Sequence, residues 1–222
     1  MKQTAIITAG GTGSRMGTSI PKQFLSINGL PVLIHTINHF VSLVDTLIVT
    51  LPEQYVDYWK ELQLKYNYHV SHILAHGGET RFDSVKNALR FVPDSGLVAV
   101  HDAVRPFVSS ALIQSCFRHA QQHGTAVAAI PLKHSLRMIS GTKNRSVNRS
   151  DFHIVQTPQV FACEIIKRAY QQPYHSHFTD DASVVETLGE EIQLVRGEEM
   201  NIKITTSTDL ALSEILMRQN NI

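Results

Sequence analysis

The sequence predicts an α/β protein, a Rossmann-like three-layer sandwich with a mostly parallel sheet and a protruding β-hairpin dimerisation arm. Short apolar, β-rich runs alternate along the chain with segments whose apolar residues recur at helical spacing. The connections between them are short, which favours parallel strands with helices on both faces. The alternation breaks once, from Pro131 to Asp151. With 222 residues, 43% of them hydrophobic, the chain can bury a large core, and we expect a single domain over 1–222 with the arm at about 131–151.

In chain order, Ala5–Thr8, Thr46–Leu51, His69–Leu74, Leu97–His101 and Thr125–Ile130 read as strands, with helices over Val32–Val41, Val56–Tyr66, Thr80–Phe91 and Ser110–His123 between them. Within the irregular stretch, Gly141-Thr142-Lys143-Asn144 signals a tight turn, hence a hairpin arm. An isolated hairpin is marginal in water, so Leu132, Leu136, Met138 and Ile139 need another surface, most economically a second copy of the chain. A loose surface loop is the alternative. Beyond the arm we expect a strand at Val155–Phe161, helices near Cys163–Gln171 and Asp180–Leu188, a strand at Ile192–Arg196, and a closing helix Thr208–Met217 capped by Ser207 or Thr208.

Composition removes several classes of function. A net charge of +1 supplies no global field for nucleic acid or a membrane surface, so any anion site must be local. Cys116 and Cys163 lack a CxxC spacing and read as buried, reduced thiols. Met1-Lys2-Gln3-Thr4 runs straight into a strand without a leader pattern, and no run approaches the roughly 18 apolar residues of a membrane span. A cytoplasmic location is the expectation. Among the 12 histidines, His35 with His39 and His119 with His123 have helical spacing, but neither pair has a carboxylate placed to complete a zinc site.

The segment Ile7–Phe24, ITAGGTGSRMGTSIPKQF, carries the chemistry. Gly10, Gly11 and Gly13 follow a strand, so the backbone can approach a ligand closely and present N–H groups to phosphate oxygens. Gly11-x-Gly13 is followed by Met16 and Gly17, which breaks GxGxxG, and no GxxxxGK[ST] occurs, so a hydride-transfer enzyme and a P-loop NTPase are disfavoured. Arg15 and Lys22 place two cations beside the loop, an arrangement suited to transfer at phosphorus; a glycine turn with solvated basic residues is the plainer alternative. Further on, Asp102 and Arg105 follow the strand ending at His101, where such sheets hold ligands, although an ion pair of purely structural role would look the same.

These residues resemble the cytidylyltransferases of sugar and polyol phosphates, whose loop reads AxGxGxRM followed by PKQ. GGETRFDSVKNAL at Gly77–Leu89, VHDAVRPFV at Val100–Val108, QTPQVF at Gln156–Phe161, FTDDASVVE at Phe178–Glu186 and NIKITTSTDL at Asn201–Leu210 are similar to its other motifs, in family order. The resemblance implies a nucleotidyltransferase domain that moves CMP from CTP to a polyol phosphate, with Mg²⁺ carried mainly by the triphosphate, as a cytoplasmic homodimer joined through the arm. Four residues separate Met16 from Pro21, as in the members acting on 2-C-methyl-D-erythritol 4-phosphate in isoprene biosynthesis by the non-mevalonate pathway. The ribitol 5-phosphate branch, which tends to have one more residue there, is the alternative.

By the same resemblance, Arg15, Lys22 and Lys203 are the catalytic cations. Ala9, Gly10, Gly11, Thr12, Gly13, Gly78, Glu79, Ser84 and Asp102 bind the nucleotide, and Asp102 stands near the metal. Arg105, Ser135, Arg149 and Thr157 bind the acceptor, Arg149 by reaching into a neighbouring subunit. Glu79 stands where the family often has Asp, and Ser135 where Thr is usual. From the residues themselves, Lys203 lies on an apolar strand and needs an anionic partner, Thr80 or Glu79 caps a helix before a solvated Arg81, and Asp180 caps another.

Overall fold

The computed structural model describes residues 1–10 and 20–219. The expectations for Gly11, Thr12, Gly13 and Arg15 lie outside the described residues. The chain runs through β1 (Gln3–Thr8), a 3-10 turn at Lys22–Phe24, a short ribbon of β2 (Ser26–Ile27) and β3 (Leu30–Pro31), α1 (Val32–Phe40), β4 (Thr46–Leu51), α2 (Val56–Lys65), β5 (Ile73–His76) and α3 (Arg81–Ala88). There follow β6 (Leu97–Asp102), α4 (Ser110–His123), β7 (Thr125–Pro131), β8 (Leu136–Ser140), β9 (Lys143–Val147), β10 (His153–Ala162), α5 (Cys163–Ala169), α6 (Asp181–Glu186), β11 (Leu194–Arg196) and α7 (Ser207–Gln219).

The main sheet has the order β11-β7-β10-β6-β1-β4-β5. β10 runs antiparallel to both neighbours, while the other pairings are parallel. Period-two alternation assigns each face of the sheet to its own helices. Ala5, Ile7, Leu47, Val49 and Ala99 pack with residues of α1, α2 and α4. Ile6, Ile48, Val98 and Val100 turn the other way, onto α3, α5 and α6. A third cluster joins Ile27, Val32, Val104, Phe107, Ile204 and Met217, and it fastens α7 and the segment before it over the carboxyl end of the sheet. No helix of the described residues is long and apolar enough to cross a membrane.

Several boundaries depart from the sequence expectation. β5 pairs with β4 only from Ile73 onward, because Tyr68 and Val70 pack against the core without joining the ladder. Asn201–Thr205 forms no strand; its one ladder-like bond runs from the Ile204 N–H to the Val104 carbonyl. α3 gives way to a 3-10 turn at Leu89–Phe91. α7 begins at Ser207, and its start is satisfied by Thr206, whose hydroxyl accepts the Asp209 N–H, and by the Asp209 carboxylate, which accepts the Thr205 and Thr206 N–H groups.

The hairpin is present. β8 and β9 pair antiparallel from Leu136↔Val147 to Ser140↔Lys143, and Gly141 takes the turn at φ +59°. Met138 and Ile139 on it are 45% and 76% exposed. Both cysteines are buried and free.

Candidate active site

Asp102 ends β6 and is the hub of the site. It is buried, and its Oδ2 accepts a short ion-pair contact from Lys203 Nζ at 2.7 Å, with Arg105 Nε at 3.5 Å. Its Oδ1 lies 3.4 Å from Arg81 Nε and 3.4 Å from the Thr8 hydroxyl. Burial by itself would disfavour the charged carboxylate, but Arg81, Lys203 and Arg105 outweigh it and hold Asp102 well below the usual carboxylate range. The arginines respond to the same balance. Burial pulls Arg105 down against the opposing pull of Asp102, whereas Asp181 and Asp102 overcome burial and raise Arg81.

The backbone of Asp102 is fixed from behind. Its N–H donates to the Thr157 hydroxyl at 3.0 Å, and that hydroxyl is 3.1 Å from His101 Nδ1. His101 Nε2 lies 3.1 Å from the Arg105 carbonyl, which makes Nε2 the protonated nitrogen and leaves Nδ1 to accept from Thr157. Burial pushes this imidazole down to about 3, so it is neutral at physiological pH. Sequence reading passed over His101 because its role depends on a strand that is distant in the chain.

Lys203 reaches Asp102 from a segment pinned on both sides. Ile204 is buried in the third cluster, and buried Asn201 donates to the Thr157 carbonyl at 2.8 Å while its own carbonyl accepts from Arg105 Nη1 at 2.8 Å. The anionic partner that the lysine needed is therefore Asp102, although no strand carries it. Lys22 is presented by the 3-10 turn; the adjacent Gln23 donates to the Ala9 carbonyl at 2.7 Å, and Phe24 packs edge-on against Tyr55 and Tyr58.

The start of α3 is built for close approach. Thr80 caps it in a capping box with Asp83, as expected. The Ser84 hydroxyl accepts the Gly78 N–H at 3.0 Å and donates to the Thr80 carbonyl at 3.0 Å. A Cβ on Gly78 would fall 2.2 Å from Asp83 Cβ, so that position needs glycine, and one on Gly10 would fall 2.6 Å from the Ser84 hydroxyl and push it off its hydrogen bonds. Arg81 corrects the expectation of a solvated side chain: its fork grips buried Asp181, Nη1 to Oδ1 at 2.9 Å and Nη2 to Oδ2 at 2.6 Å.

Two cavities meet at this hub. The larger, about 410 Å³, is lined by Ala9, Gly10, Lys22, Gly78, Glu79 and Ser84 among others. The smaller, about 240 Å³, is lined by Arg105, Gln156, Thr157, Gln159, Thr179 and Asp180. Arg81, Asp102 and Lys203 belong to both walls. Thr179, Gln156 and Gln159 were not singled out from sequence. Asp180, expected as a cap, accepts the Ser183 N–H at 2.9 Å and also takes Gln159 Nε2 at 2.8 Å. Ser135 and Arg149 are exposed at the base of the hairpin and line neither cavity; Arg149 Nη1 donates to the Lys133 carbonyl. Histidines with helical spacing bond carbonyls instead, His35 to Ile27 and His39 to Pro106.

Sheet order and geometry thus define an α/β protein with a cationic, two-chambered site at the carboxyl ends of its central strands. A family model described as 2-C-methyl-D-erythritol 4-phosphate cytidylyltransferase matches residues 3–219, and the chain belongs to that family. Proteins of that name from Bacteroides thetaiotaomicron (45% identity, 98% of this chain and 100% of the relative) and Porphyromonas gingivalis (48%, 97% and 98%) are similar to it. So are two solved structures. One is 4-diphosphocytidyl-2C-methyl-D-erythritol synthase from Anaerococcus prevotii, with TM-score 0.83, 28% identity and 98% of each chain covered. The other is the cytidylyltransferase from Thermus thermophilus, with TM-score 0.81, 32% identity, and 98% of this chain and 100% of that one covered.

Proposed function

We propose that this chain transfers CMP from CTP to 2-C-methyl-D-erythritol 4-phosphate, releasing pyrophosphate and forming 4-diphosphocytidyl-2-C-methyl-D-erythritol. The observation that carries the reading is the shared wall: one cavity lined by Ala9, Gly10 and Lys22 and another lined by Arg105 and Thr157 meet at Asp102, Lys203 and Arg81. The relatives named above all bear the methylerythritol name, which favours that acceptor over ribitol 5-phosphate.

In this reading CTP occupies the larger cavity, its base against Gly78, Glu79 and Ser84 and its phosphates along Ala9–Gly13. The acceptor phosphate enters from the smaller one. An oxygen of that phosphate, already ionised and in need of no general base, forms a bond to the α-phosphorus. The bond from the α-phosphorus to the bridging oxygen of the pyrophosphate breaks, and both electrons leave with it. Lys22, Lys203 and Arg15 stabilise the negative charge spreading over the equatorial oxygens, and Asp102 keeps Lys203 aimed.

Among the described residues no three of His, Cys, Asp and Glu converge to cage a metal, while Asp102 is one ionised carboxylate at the junction. That donor set fits Mg²⁺ held largely by phosphate oxygens and water, with Asp102 as the one nearby protein anion. When bound, the ion would neutralise part of the triphosphate charge. The exposed Met138 and Ile139, and the absence of Ser135 and Arg149 from the linings of their own chain's two cavities, support a homodimer in which the arm completes the partner's site. A cytoplasmic location accompanies this reading.

Pyrophosphate release tests it, with CTP, UTP or ATP paired in turn with methylerythritol phosphate or ribitol 5-phosphate. Fast release with CTP and methylerythritol phosphate alone is expected; preference for ribitol phosphate, or silence with both, would contradict it.

A further inference from the structure

Tyr170 and Asp181 line neither cavity, yet both converge on a residue that lines the two. Asp181, the first residue of α6, is wholly buried, and its Oδ1 accepts from the Tyr170 hydroxyl at 2.6 Å as well as from Arg81. The tyrosine ring cannot drift. It stacks on Phe82 with centroids 4.6 Å apart and planes at 18°, and Phe82 stacks in turn on Phe178 at 5.7 Å and 21°. Residues from α3, the end of α5 and the approach to α6 are thereby locked around one guanidinium.

The consequence falls on Asp102. A guanidinium offered a carboxylate prefers to engage it with two parallel N–H bonds. Arg81 gives that fork to Asp181 and turns only its Nε edge, at 3.4 Å, toward Asp102. Asp102 consequently keeps its one short ion-pair contact for Lys203, at 2.7 Å. We infer that Tyr170 and Asp181 make Arg81 a positioning residue: by occupying its fork they leave Asp102 bound to Lys203 at the junction of the two cavities. The inference rests on the functional reading above only in assigning Lys203 to the reacting phosphate.

Asp181→Asn and Tyr170→Phe test it through turnover per folded molecule and through a crystal structure of Asp181→Asn. With its fork released, Arg81 should turn onto Asp102, and the contact between Lys203 and Asp102 should open. A displacement of that order should lower kcat about tenfold or more in Asp181→Asn and about threefold in Tyr170→Phe, with KM for CTP within about threefold of wild type. Should the asparagine variant not fold, Tyr170→Phe decides alone, since it keeps the ring stack and removes only one hydroxyl. A lower melting temperature with unchanged kcat would overturn the inference and leave the triad a purely structural one. So would an Asp181→Asn structure in which Lys203 still holds Asp102. The crystal structure judges the inference even if the wild-type protein proves inactive with CTP and methylerythritol phosphate, an outcome that would count against the reaction alone.

Discussion

At the scale of single residues, the site is a contest over one carboxylate. Asp102 is held ionised by three cations despite burial. Its folded value lies below the unfolded one, so its contribution to stability is present above the ordinary carboxylate range and is lost progressively as pH falls below about 4 toward that lower value. No limb of a pH–rate profile between pH 5 and 9 should therefore belong to it. In the proposed reaction Lys22 and Lys203 act on charge that grows in the transition state, and one preorganised donor of that kind is worth ~2.7–4 kcal/mol. Lys22→Ala should then reduce kcat about a hundredfold or more with a smaller change in KM for CTP, measured by steady-state pyrophosphate release. His101 gives a pH signature of the same sign in a higher window. Burial lowers its folded value to about 3, so as pH falls below about 6.5 the unfolded state takes up the proton first and stability declines, by at most about 1.4 kcal/mol per pH unit. Melting temperatures from pH 4 to 8 should fall less steeply toward acid in His101→Gln than in wild type.

Legibility at this scale followed sequence distance. Gly78, Ser84, Asp102, Arg105, Thr157 and Lys203 stand in motifs, and the structure brings all of them to the two cavities. Asp181 and His101 act through partners 100 and 56 positions away, and no local pattern announces such pairings.

At the scale of elements, periodicity was a good guide where a face had to be buried. β1, β4 and β6 lie in the middle of the sheet and were readable as continuous apolar runs. The edge strand β5 was read too early, at His69–Leu74 instead of Ile73–His76, because an edge has one ladder to satisfy and neighbouring apolar residues can pack without joining it. Lys203 misled for a related reason: its apolar neighbours pack into a small cluster over the sheet instead of pairing with it. The capping box at Thr80 sets the loop that carries Gly78 and Ser84, to which the proposed function assigns the base. Thr80→Ala should cost about 0.5–2 kcal/mol in thermal or denaturant unfolding. It should also raise KM for CTP more than it lowers kcat, because the loop it loosens touches the nucleotide in the ground state as well as in the transition state.

At the scale of the whole molecule, the fold brings two cavities to one wall, while Ser135 and Arg149, at the base of the hairpin, line neither. The break in alternation after Pro131 made the arm legible, and Gly141 made its turn legible. What the arm covers was not, since nothing local to it names the surface it meets. If two chains exchange arms, Ile139→Glu places a charge in the contact, and sedimentation equilibrium should show a weakened dimer. Turnover should drop in parallel, with a raised KM for the acceptor and little change in KM for CTP.

The most direct measurement of the transfer itself follows ¹⁸O from the non-bridging oxygens of the acceptor phosphate, using ³¹P NMR and mass spectrometry of both products. Attack by the acceptor phosphate on the α-phosphorus predicts that all label stays in the cytidyl product, that the CMP-derived phosphorus shows the isotope shift of a labelled bridge, and that pyrophosphate is unlabelled. Label in pyrophosphate, or an unlabelled bridge, would contradict the reaction assigned to the junction of Asp102, Lys203 and Lys22.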